Sequence, residues 1–118
     1  PNEGSVIAKL SYGATSFLLT GDTTEAVEQY LVFLDGKRLD VDVLKAGHHG
    51  SRTSTSDALV GLASPAYAVI SAGKDNRYGH PHAEVTARLA RFGVPTLGTY
   101  EHGTIVFTSD GETVRLRK

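Results

Sequence analysis

The 118-residue sequence contains no cysteine. Disulfides, thiolate metal ligands and a cysteine nucleophile are therefore excluded. Any bound metal must be held by His, Asp or Glu. An excess of one charge is also missing: 12 Lys and Arg stand against 13 Asp and Glu, a net charge of −1. No bulk positive field draws the chain to nucleic acid or to a membrane, so such binding would be local. No apolar run approaches the ~18 residues of a membrane helix. No signal-peptide pattern opens the chain. Pro1 stands first without a methionine, which reads as an excised or processed segment. Repeats, low-complexity tracts and linkers are absent, so residues 1–118 read as one domain.

What is present describes a turn-rich globular unit. Apolar residues make up 40%, charged residues 21%, and there are 13 glycines; this is not a disordered composition. Val6, Ala8, Leu10 and Tyr12 alternate with polar neighbours, which predicts a strand. Gly13 and Ala14 turn it into "SFLLT", a second strand expected to be covered on both faces. Val27, Tyr30, Leu31 and Leu34 fall on one helical stripe, predicting a helix over 24–34 capped by Thr23 or Thr24. Residues 39–46 alternate as a strand. Thr55 or Ser56 caps a short helix that Pro65 ends. Residues 66–71 form a buried strand. Residues 81–92 predict a third helix, with Pro81 at its first helical position, His80 as its cap, His82 in its first turn, and Gly93 and Pro95 at its end. "PTLGTY" reads as a last inner strand. The chain closes in a hairpin that turns at Asp110-Gly111. Strands alternate with helices through the middle, so the fold class is α/β with a mixed sheet and three helices. In such sheets, ligands gather beyond the carboxyl ends of the strands.

Those ends carry the candidate chemistry. Asp22 follows the second strand; it is either a helix-start acid or a ligand. His48 and His49 lie between Gly47 and Gly50 in "LKAGHHGSRTS". Two imidazoles between glycines suit close approach of a ligand, a metal or a relayed proton, but a polar turn explains them too. Ser51, Thr53, Ser54, Thr55 and Ser56 can cap the next helix or hold a phosphate at its N-terminus. His80 and His82 bracket Pro81 at a helix start, where the dipole favours neutral rings; a plain polar helix start carries equal weight. Lys74, Arg77 and Tyr78 precede them and suit an anionic substrate. His102, in "YEHGTI", reads as a surface residue.

Taken in order, "SVIAKLSYGATSFLLTGD", "VLKAGHHGSRTSTS" and "YAVISAGKDNRYGHPHAEV" resemble the metallo-β-lactamase-like domain of the ComEC family of DNA-internalisation competence proteins. The resemblance covers about residues 4 to 107. It implies half of an αβ/βα sandwich with a two-metal site, usually zinc, where the sheets meet. It implies Asp22 and His49 as metal ligands, and His48, His80 and His82 in catalytic or substrate-facing roles. Ser51, Thr53, Lys74 and Arg77 would then contact substrate. The family's His-x-His-x-Asp-His cluster has no match. The nearest pattern, His80-Pro81-His82, continues with Ala83 and Glu84. The chain is thus expected to be the C-terminal portion of such a domain, lacking its N-terminal half. Alone it would be inactive, hold zinc weakly or not at all, and self-associate through an uncovered sheet face. The parent would cleave phosphodiesters during DNA uptake, as the soluble domain of a bacterial inner-membrane protein. Two other readings stay open: part of a soluble hydrolase of the same fold acting on small molecules, and a non-catalytic interaction module.

Overall fold

A computed structural model describes residues 7–21, 25–51, 55–73 and 81–117, with only the backbone of Glu25, Asp35, Lys37 and His48. Two strands open it, β1 (Ala8–Tyr12) and β2 (Thr15–Leu19). Helix α1 (Glu25–Asp35) leads through a 3-10 turn at Gly36–Leu39 to β3 (Val43–Lys45). A second 3-10 turn, Gly47–Gly50, precedes α2 (Asp57–Ala63) and β4 (Tyr67–Ile70). Then come α3 (Ala83–Arg91), β5 (Thr96–Gly98), the short α4 (Thr99–His102), and the hairpin β6 (Val106–Ser109) and β7 (Val114–Arg117).

The main sheet has strand order β1-β2-β3-β4-β5. Strand β1 runs antiparallel to β2; the other neighbours are parallel. The sheet is therefore mixed, as the α/β reading expects. Sequential order has a geometric consequence. Crossovers between parallel strands are right-handed, so α1, α2 and α3 fall on the same face of the sheet. Register assigns the residues to the two sides. Leu18, Leu44 and Ala68 lie opposite one another across three strands and are fully buried. They pack in one core with Leu59, Val60 and Ala63 of α2 and Val85 and Leu89 of α3.

The next residues along each strand point the other way. Leu19, Lys45, Val69 and Leu97 are in register on that face. The terminal hairpin packs against the N-terminal end of this face. Phe107 packs on Tyr67 in a tilted contact, with ring centroids 5.2 Å apart. The hydroxyls of Thr15 and Ser109 share a hydrogen bond of 2.6 Å. Between hairpin and sheet a groove of about 390 Å³ stays open, lined by Leu10, Phe17, Leu19, Val43, Lys45 and Val69 among others. The expectation that β2 is covered on both faces is thus corrected. One face is covered by helices, and Leu19 on the other is exposed.

Helix α1 departs from its expected orientation. Tyr30, Phe33 and Leu34 are 65%, 84% and 53% exposed. Leu31 faces the core as expected, but its companions there are Val32 and Glu28, which is 0% exposed. A stripe through 28, 31 and 32 replaces the one through 27, 30, 31 and 34. The physical reason is a polar demand at position 28, described below. The strand read at 39–46 shortens to Val43–Lys45, because Gly36–Leu39 coils as a 3-10 turn. "PTLGTY", expected as one strand, splits into β5 and the start of α4, a fourth helix. The expected caps Thr23 and Thr24 lie outside the described residues.

Candidate functional site

The parallel strands β2, β3 and β4 all deliver their carboxyl ends to the same edge. Strand β3 ends at Lys45, and the "GHHG" turn follows directly. His49 takes a left-handed backbone angle, φ 54°. A bulky residue there costs of order 1–3 kcal/mol, and such outliers cluster at functional sites. Its ring nitrogen Nδ1 lies 2.7 Å from the carbonyl oxygen of Ser71, just past β4. A carbonyl only accepts, so Nδ1 carries the hydrogen. In the neutral ring Nε2 then keeps its lone pair, and the imidazole is exposed. A backbone carbonyl behind one ring nitrogen is the usual support of a metal-binding histidine.

The loop that carries His49 is fastened along its length. Gly47 N–H donates to Thr55 Oγ1 at 3.3 Å. His82 N–H donates to the Gly50 carbonyl at 2.9 Å. Gly50 has φ +79°, and a Cβ there would sit 2.7 Å from Cβ of Pro81; only glycine allows this approach. Gly50 of the "HHGS" segment is therefore in direct contact with Pro81 and His82. Ser51 beside them is buried. His82 stands at the N-cap position of α3 without a side-chain capping bond. Thr99, opening α4, accepts from Ala72 N–H at 3.0 Å and donates to the Ala72 carbonyl at 3.1 Å, which pins the exit of β4.

The hydroxyl-rich run resolves into a cap. Ser56 is the N-cap of α2, and its Oγ accepts from Leu59 N–H at 3.3 Å. The anion at this helix start is internal. Glu28 of α1 accepts from Thr55 N–H at 2.6 Å and from Ser56 N–H at 2.7 Å. Those two donors are engaged by a side chain of the same molecule and are not presented to a phosphate. Glu28 is absent from the candidates that the sequence offers. Its signal was spacing: it stands three and four residues before Leu31 and Val32, on the face that turned out to be buried.

Of the other expected site residues, Asp22, Thr53, Lys74, Arg77 and His80 lie outside the described residues, as does the side chain of His48. His49 and His82 are brought together through Gly50. His102 is exposed at the end of α4.

Zinc sites take three or four ligands. Among the described residues no group of three His, Cys, Asp or Glu stands close enough to hold a metal ion. His49 fits the part of one ligand, but the described residues do not make a complete centre.

Known proteins match this chain. It is 40% identical over 106 residues to ComE operon protein 3 of Bacillus subtilis, covering 90% of this chain and 14% of that protein. Competence protein ComA of Neisseria gonorrhoeae is 38% identical over 106 residues, 90% of this chain and 15% of its own. Recombination protein 2 of Haemophilus influenzae is 42% identical over 91 residues, 77% of this chain and 11% of its own. The chain thus spans only 11–15% of the length of these relatives. The family model of the metallo-beta-lactamase superfamily matches residues 1–74, which takes in the sheet strands β1 to β4, the "GHHG" turn and helix α2. With that match over more than half its length, the chain belongs to the metallo-beta-lactamase superfamily.

Proposed function

We propose that this chain is the C-terminal portion of a metal-dependent hydrolase domain in a competence protein, and that it supplies the His49 loop to an active site completed by upstream sequence. The observation that carries this reading is the bond from His49 Nδ1 to the Ser71 carbonyl, which fixes an exposed imidazole beyond the carboxyl end of β3. Asp22 is the second ligand in this reading, and zinc the metal. His48, His80 and His82 face the substrate, with Ser51, Thr53, Lys74 and Arg77 as contacts to a phosphodiester such as DNA. The metals would supply an activated water and charge for a phosphate oxygen. That chemistry belongs to the completed domain, and this chain alone is inactive.

The small share of each relative that the chain spans supports a missing upstream part. So does the sheet face that the helices leave bare, which the N-terminal half-domain would cover. Without it, that face mediates self-association. The parent is a bacterial inner-membrane protein and this portion lies outside the bilayer; among the described residues no helix is long and apolar enough to cross a membrane.

The test restores the preceding sequence and measures metal-dependent hydrolysis of a DNA oligonucleotide. Activity that needs added metal and disappears in His49→Ala supports the proposal. Activity unaffected by His49→Ala, or none at all in a folded, metal-loaded parent, refutes it.

A further inference from the structure

A buried carboxylate in α1 has no part in the reading above. Glu28 is fully buried in a helix whose neighbouring aromatics face solvent. Burying a charge is costly unless hydrogen bonds satisfy it. Here both oxygens accept main-chain N–H groups, from Thr55 and Ser56. Thr55 is a β-branched residue at φ 57°, a conformation it adopts only under constraint. It is fully buried too. Its three polar groups are all used: N–H to Glu28, Oγ1 from Gly47 N–H, and carbonyl to Arg88 Nη1 at 2.8 Å. Thr55 thus closes the loop that starts at Gly47 and contains His49.

We propose that Glu28 is a positioning residue for the His49 loop. Its carboxylate holds Thr55 in the left-handed conformation, and Thr55 in turn fixes Gly47, where the turn bearing His49 begins. The helix that follows the Asp22 segment is thereby tied to the loop of His48 and His49. The functional weight of this clamp rests on the reading of that loop as a metal-site loop.

Glutamine at 28 is the informative change. Its single carbonyl can accept one of the two N–H groups, and its amide NH₂ is turned on the other. Two readouts on the 118-residue chain apply. The first is amide hydrogen exchange. In Glu28→Gln, amides of residues 47–56 should exchange at least about tenfold faster while those of β4 and α3 change less. The second is the ¹⁵N signature of the His49 ring. It should report hydrogen on Nδ1 in the parent chain, and a shift towards Nε2–H in the variant as the bond to Ser71 loosens. A role confined to overall stability would leave that tautomer unchanged.

Thr55→Gly supplies the second arm. It removes the cost of the left-handed backbone, so Glu28→Gln should do less damage in that background. If Glu28→Gln alone does not fold, recovery of a folded chain with hydrogen on His49 Nδ1 in the double variant supports the proposal. Failure of Thr55→Gly to recover anything contradicts it. A folded Glu28→Gln with unchanged loop exchange and an unchanged His49 tautomer overturns it. Neither readout uses metal. Zinc titration of the unaltered chain tests the metal-site reading separately, so failure of one is distinguishable from failure of the other.

Discussion

His82 donates its main-chain N–H to the carbonyl of Gly50 at 2.9 Å. This bond joins the loop after β3 to the start of α3, which follows β4. It links two histidine-bearing segments through residues 32 positions apart in the chain.

The contact depends on the absence of a side chain at 50. Gly50→Ala would place a Cβ 2.7 Å from the Pro81 ring and 3.1 Å from Ile70 Cγ2, at a positive φ. Overlap and backbone strain together should cost about 2 kcal/mol or more. Denaturant unfolding measures the loss, and the amide signal of His82 should move with it.

Helix α1 offers a contrast between adjacent residues. Phe33→Ala should change stability by less than about 0.5 kcal/mol, because the ring is already in water. Leu31→Ala should cost about 1–2 kcal/mol, because that side chain packs on the core. Paired urea titrations decide it; equal costs would mean the helix is rotated from the orientation described.

The bare sheet face should make the chain associate as concentration rises. Leu10 and Leu19 are both exposed there and line the open groove. The double change Leu10→Lys, Leu19→Lys should shift sedimentation towards monomer without lowering the unfolding midpoint greatly. A parent chain that stays monomeric across a wide concentration range would show that the hairpin covers enough of the face.

The terminal hairpin should respond to acid. Asp110 Oδ1 accepts N–H groups of Thr113 and Glu112 at 2.8 and 2.9 Å. These bonds, Thr113 first, hold its carboxyl below the usual aspartate range. A depressed folded value means the contribution is present above the unfolded aspartate pKa and is lost as pH falls through the lower, folded one. Fraying of β6 and β7 should therefore begin only in strong acid. Asp110→Asn should remove most of that acid sensitivity, as read from the amide signals of Glu112 and Thr113.

Much of this arrangement was legible in the sequence, for identifiable reasons. Strand alternation around Gly13 and the Asp110-Gly111 turn marked both hairpins. Ser56, Leu59 and Pro65 bounded α2 to within a residue or two. The "GHHG" motif led to the strand edge where His49 now stands. Orientation of α1 was not legible, because hydrophobic periodicity weighs Tyr30 and Leu34 as core and a glutamate as surface. A carboxylate satisfied by two main-chain donors reverses that order, and those donors lie 27 and 28 residues away. Helix α4 escaped because "GTYEHG" is too short for periodicity to register. The hydrogen on His49 Nδ1 also had no sequence signal, since it depends on the Ser71 carbonyl across the sheet.

The central claim, that His49 is prepared to ligate metal, is tested most directly by titrating Zn²⁺ into this chain and following all five histidine rings by NMR. The expected result is that His49 Nε2 responds at the lowest zinc concentration at which any ring does, while the exposed His102 is unmoved. A response confined to His102, or none from His49 at any concentration the chain tolerates, would contradict it.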